Sequence, residues 1–152
     1  MISLMETILF LKRVPLFSNI HGEGLKRIAD IAVENVYEAG TVIFNESDIG
    51  DVLYIIKKGS VAIFKALEDG SEKTLAHLKE QCYFGEMAIL DNSPRSASAR
   101  ADDDSILLTV DKENFRQVVN EYPEIAFEIF KVFSQRLRDT NKEIQLLSQK
   151  NL

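Results

Sequence analysis

Residues 52–78 read VLYIIKKGSVAIFKALEDGSEKTLAHL. Three short apolar runs, VLYII at 52–56, VAIF at 61–64 and TLAHL at 74–78, are separated by Lys58-Gly59 and Asp69-Gly70. Apolar runs of this length bounded by turn residues read as β-strands. Asp-Gly is a strong hairpin marker, because glycine takes up positive φ without a steric penalty. The stretch therefore predicts strands joined by tight turns.

The same rhythm continues on both sides. VIF at 42–44, SASARA at 96–101 and SILLTV at 105–110 alternate with turn signals at Ala39-Gly40 and Asp48-Ile49-Gly50. Strand starts about ten residues apart suggest a β-sandwich or jelly roll over 33–110. One block breaks the pattern: Glu86 to Leu90 reads as an apolar helical turn set between strands. Upstream, residues 5–32 read as a helical lead, with Ile8, Leu9 and Leu11 before Pro15 and Leu25, Ile28, Ala29 and Ala32 after it. Downstream, Asp111 is a cap candidate for a helix that Pro123 stops near Tyr122. In the next helix Ala126, Phe130, Phe133, Leu137, Thr140, Ile144 and Leu147 repeat at spacings of four and three, the a/d pattern of a coiled-coil seam. From Pro123 to Gln149 that helix would extend roughly 40 Å, beyond the cover one small domain needs. Its far half calls for another surface, and a homodimer through this C-terminal helix is the expectation. The fold class predicted is mainly β, a jelly roll with flanking helices, in a single domain over 1–152: helical lead 5–32, jelly roll 33–110, C-terminal helices 111–150.

Composition bounds the function. The chain has 152 residues, enough for one domain with a real core but not for a catalytic and a regulatory domain together. Its net charge of −6 argues against gripping nucleic acid through the whole surface, and no helix-turn-helix follows the long helix, so no nucleic acid binding is expected of this chain alone. The single cysteine, Cys82, excludes an internal disulfide and a cysteine-rich metal site. The N-terminal segment MISLMETILFLKR is interrupted by Glu6 and carries its basic residues after the apolar stretch, so it reads as a helix rather than a signal peptide. No run approaches the roughly 18 apolar residues of a membrane span. A soluble, cytoplasmic protein without membrane insertion is expected.

Residues 84–101, FGEMAILDNSPRSASARA, carry the chemistry. Arg95 stands in an otherwise small, uncharged loop, and its planar fork can give two hydrogen bonds to phosphate oxygens. The start of the helical turn offers backbone N–H groups to an anion, and Gly85 permits close approach. FGEMA followed by PRSAS resembles the phosphate-binding cassette of cyclic nucleotide-binding domains. The likeness extends over residues 10–150, through VPLFSNI at 14–20, EAGTVIF at 38–44 and IGDVLYIIKKGSVAIF at 49–64. It is strongest to the sensory domain of the bacterial catabolite activator family.

The resemblance implies a cyclic nucleotide ligand and no further cofactor. Phosphate contacts would come from Arg95, Ser96 and the backbone of Gly85, Glu86, Met87 and Ala88. Glu86 would take the ribose hydroxyl, with Ala97 small enough to let the ligand lie on its strand. Ile63, Leu75 and Ala76 would lie near the base, and Thr140 and Asn141 would reach it from the long helix. Serine after Arg95 favours cAMP over cGMP, threonine being frequent in cGMP-selective relatives. The family usually has glycine three residues before the motif phenylalanine, where this chain has Gln81, so a strained turn is expected there.

Other readings stand beside this one. A second reading joins Glu86 and Arg95 as an intramolecular ion pair, leaving a vestigial pocket in a protein-interaction module that dimerises through its C-terminal helix. Thr140 could bond its own helix backbone. His21 and His77 are too few for a metal-dependent jelly-roll enzyme, and no Ser or Cys has a histidine partner, so neither a metal nor catalytic residues are expected. Asp102-Asp103-Asp104 reads as a solvated turn. Lys131, Arg136, Arg138 and Lys142 interleave with acids and read as a solvated helix face.

Overall fold

Alternation in a strand sends neighbouring side chains to opposite faces, so a strand that is apolar on both faces must be covered twice. Residues 52–58 satisfy this in the computed structural model, which describes residues 3–150. Eight strands run in chain order: β1 (Val33–Tyr37), β2 (Val42–Phe44), β3 (Val52–Lys58), β4 (Val61–Ala66), β5 (Glu72–Leu78), β6 (Tyr83–Phe84), β7 (Ser98–Ala101) and β8 (Ser105–Asp111). They form two antiparallel four-stranded sheets, ordered β1-β8-β3-β6 and β2-β7-β4-β5. This is the jelly-roll arrangement predicted. Sequence periodicity does not separate β1 or β6, and the two residues of β6 are too few to display a period.

Among the described residues five helices flank the sheets: α1 (Leu4–Leu11), α2 (Gly22–Ile31), α3 (Met87–Leu90), α4 (Lys112–Glu121) and α5 (Glu124–Lys150). The helical lead expected over 5–32 is thus two helices. Between them Val14, Leu16 and Phe17 are buried in a turn around Pro15. Asp111 caps α4 as expected, its carboxylate accepting from the Asn114 N–H at 2.8 Å.

The core has two parts. Between the sheets, Ile56, Val61, Phe84, Ala99 and Leu107 pack together, with Phe44, Tyr54 and Ile63 at the margin. On the outer face of the first sheet, Leu53, Ile55, Leu108 and Val110 meet α1, α2, α4 and the first turns of α5 through Leu11, Phe17, Leu25, Ile28, Phe115, Val118, Ile125 and Ile129. The β3 pattern Leu53, Ile55 outward and Tyr54, Ile56 inward is the alternation that the opening stretch displays. In α5 only the beginning is anchored. From Ser134 to Lys150 every residue is exposed.

Candidate functional site

The loop from Asp91 to Ala97 joins α3 to β7. Backbone bonds fix its far end: Arg95 N–H donates to Asp48 C=O, and Ser47 N–H to Arg95 C=O, both at 2.8 Å. The Arg95 side chain then turns inward and is only 8% exposed, which is rare for a charged residue. Its Nη2 donates to Val52 C=O at 2.9 Å and its Nη1 to Gly85 C=O at 3.2 Å. The guanidinium carbon lies 4.2 Å from the Phe44 ring centroid and 5.7 Å from that of Tyr54.

Two glycines make that position possible. A Cβ on Gly50 would overlap the guanidinium, and one on Gly85 would come within 2.5 Å of Nη1. Gly85 also takes φ 74°, where other residues are strained. The arginine sits in a slot that larger side chains at 50 and 85 would close.

Electrostatically the slot is unfinished. Arg95 has no carboxylate partner at ion-pair distance among the described residues, Glu86 being paired with Arg136, and its Nε is buried without any hydrogen-bond acceptor. Burial pulls its pKa below the ordinary guanidinium value, against the opposing charges of Tyr54, Asp51, Asp48 and Glu86. A buried cation bonded only to carbonyls and ring faces, with one N–H unmatched, is costly without an anion.

Beside it opens a cavity of about 440 Å³, within the size range of small-molecule sites, about 300–1,000 Å³. Gly85, Glu86, Met87, Ala88, Arg95, Ser96, Ala97, Ile63 and Ala76 all line it, so nine of the residues singled out in the sequence share one wall. Phe44, Leu78, Tyr83 and Arg136 also line it, with Phe84, Asp91, Ser93 and Pro94. The N–H of Ala88 is already bonded to Gly85 C=O at 3.1 Å, so Ala88 offers its methyl rather than the donor expected of it.

Three expected residues lie elsewhere. Leu75 is 49% exposed: its neighbour Ala76 pairs with Ile63 and faces the cavity, so alternation turns Leu75 to the opposite face. Leu78, on the face of Ala76, takes its place. Thr140 and Asn141 are exposed and do not line the cavity. The residue that reaches it from α5 is Arg136, one turn earlier than Thr140, about 6 Å back along the axis. Its charge had assigned it to a solvated face; the signal available was its i, i+4 relation to Thr140.

Arg136 Nη1 donates to Glu86 Oε1 at 3.0 Å and to the Tyr83 hydroxyl at 3.1 Å. Glu86 is therefore paired with α5, not with Arg95, and its Oε2 faces no protein donor in that pair. Burial raises the Tyr83 pKa, with Arg136 acting against it. Among the described residues no group of three or more His, Cys, Asp and Glu side chains converges to hold a metal ion. No helix of the described residues is long and apolar enough to cross a membrane.

Comparison with known proteins gives this arrangement a context. Residues 34–122 match the family model described as the cyclic nucleotide-binding domain. The chain is 34% identical over 138 residues to the cyclic AMP receptor protein of Thermus thermophilus, covering 91% of this chain and 64% of that protein. It is 33% identical over 110 residues to the cAMP-dependent protein kinase regulatory subunit of Yarrowia lipolytica, 72% of this chain and 28% of that one. The chain thus spans less than two thirds of either relative. Among solved structures, the N-terminal domain of a transcriptional regulator from Streptomyces coelicolor superposes with a TM-score of 0.79 at 30% identity, over 89% of this chain and 94% of that one.

Proposed function

Since the chain belongs to the cyclic nucleotide-binding domain family, we propose that the cavity beside Arg95 takes a 3′,5′-cyclic nucleotide, preferentially cAMP, and that its occupancy is passed to α5. The observation that carries the reading is the buried guanidinium, without a carboxylate partner among the described residues, in the lining of a cavity. One singly charged phosphodiester would neutralise it. Ser96 and the backbone from Gly85 to Met87 stand on the same wall and would share the phosphate. Glu86 has Oε2 to accept a ribose hydroxyl while Oε1 keeps Arg136. Ile63, Ala76 and Leu78 offer an apolar surface to the base. Ser96, where threonine is frequent in cGMP-selective relatives, favours cAMP.

The path outward is short. A ligand shifts a conformational equilibrium only as far as it contacts the two states unequally. Glu86 is one bond from Arg136, and Arg136 stands where α5 leaves the protein core, so a changed Glu86 changes what holds the helix. The exposed seam of α5, with Phe130, Leu137, Ile144 and Leu147 each more than half exposed, would pair with the same helix of a second chain.

Calorimetric titration with cAMP and cGMP tests the reading. The parent should bind cAMP more tightly than cGMP. Arg95→Ala should lose at least about a hundredfold in affinity, the loss expected when two charge-assisted hydrogen bonds go. Equal binding by parent and Arg95→Ala would remove the basis of the assignment. A parent that neither binds nor gains thermal stability from either nucleotide would leave the alternative, an interaction module whose pocket is vestigial.

A further inference from the structure

The loop that carries Arg95 is tethered at its other end by a side chain from a different element. Lys112 Nζ donates to the backbone carbonyl of Asp91 at 3.0 Å and to Asn92 Oδ1. Asp91 and Ser93 line the cavity, whereas Lys112 does not. The lysine's ammonium therefore acts on the cavity only through the loop.

Its location is unfavourable for the helix it begins. Lys112 is the first residue of α4, and a cation in the first turn faces the positive end of the helix dipole. Helix formation gives no reason for a lysine here. The tether gives one. The backbone N–H of Lys112 is also committed, to Asp51 C=O at 2.7 Å, and the next residue, Val52, provides the carbonyl that holds Arg95 Nη2 at 2.9 Å. One residue thus joins α4, the start of β3 beneath the arginine, and the loop above it.

Resting on the cyclic nucleotide reading above, we propose that Lys112 is a positioning residue that holds loop 91–94 against α4 in the form that receives the ligand's phosphate. Two substitutions in the full chain separate its roles: Lys112→Met keeps the apolar stem and removes the ammonium, and Lys112→Arg keeps a cation. In Lys112→Met, hydrogen exchange at the amides of Asp91 and Ser93, which donate to Met87 C=O and to Asp91 Oδ1, should accelerate at least tenfold in the ligand-free protein. The cAMP dissociation constant should rise about tenfold, the scale of one lost charge-assisted hydrogen bond. The melting temperature of the ligand-free protein should stay level or rise, because α4 loses a misplaced cation. Lys112→Arg should bind within about threefold of the parent.

Unchanged exchange and unchanged affinity in Lys112→Met would overturn the proposal. So would a fall in melting temperature matched by the loss of affinity in both variants, the behaviour of a merely structural residue. A parent without cAMP affinity would instead sink the nucleotide reading, and the exchange measurement would still decide whether Lys112 holds the loop.

Discussion

Gln81 stands at φ 73°, in the left-handed region where Cβ crowds the following carbonyl at a cost of roughly 1–2 kcal/mol. Its turn is held from both sides: Gln81 N–H donates to Ile56 C=O at 2.8 Å, Ile56 N–H to Cys82 C=O at 2.9 Å, and Cys82 N–H to Lys79 C=O at 3.1 Å. These bonds align β6 with β3 and so deliver Tyr83, Phe84 and Gly85 to the cavity. The conformation is imposed by the sheet, and the residue tolerates it. Gln81→Gly should therefore stabilise the protein by about 1 kcal/mol, the relief of crowding being partly offset by glycine's freedom in the unfolded chain. Chemical denaturation measures it as a rise in midpoint at constant slope. A lower midpoint would mean that the glutamine side chain itself holds the turn.

At the scale of elements, α5 connects the site to the rest of the molecule. Ile125 and Ile129 bury its first turns, Arg136 reaches the cavity wall, and beyond it the helix is solvent-exposed. The Arg136 side chain is half exposed, so its ion pair with Glu86 contributes little to global stability. On the reading proposed above it orients Glu86: it occupies one carboxylate oxygen and leaves the other to the ligand. Arg136→Met should leave thermal stability nearly unchanged yet weaken cAMP binding about fivefold, since an unoriented carboxylate meets the ribose at an entropic cost. It should also abolish any ligand-dependent change in hydrogen exchange along residues 137–147. A variant that binds normally and still transmits the change would place the coupling elsewhere, with α4 and Lys112 the next elements to examine.

For the molecule as a whole, what was legible in the sequence was what local chemistry specifies. Strand alternation, the Asp69-Gly70 turn, the Asp111 cap and the Pro123 break each act within a few residues, and each can be read without knowing the partner. The cassette was legible for the same reason: Gly85, Glu86 and Arg95 lie within one short stretch, and the resemblance rests on their spacing. What escaped depends on contacts far apart in sequence. Arg136 and Tyr83 meet across 53 positions, Lys112 and Asn92 across 20, and the facing of Leu75 is decided by which side of the second sheet the cavity occupies. The heptad seam is the intermediate case, written locally but left uncovered by the described residues of this chain. Phe127, Phe130, Leu137, Ile144 and Leu147 are each 55–66% exposed towards one side of a single helix, an apolar face larger than an isolated soluble protein ordinarily presents. A second α5 packed around a two-fold axis would cover it, with the same residues facing their counterparts. Sedimentation should accordingly give a dimer with or without nucleotide. Leu137→Asp combined with Ile144→Asp should give a folded monomer, because neither side chain belongs to the core of its own chain and two pairs of like charges would face each other across the axis. A parent that remains monomeric at high concentration would refute the pairing, and a double variant that unfolds would show that the far half of α5 supports the chain it belongs to.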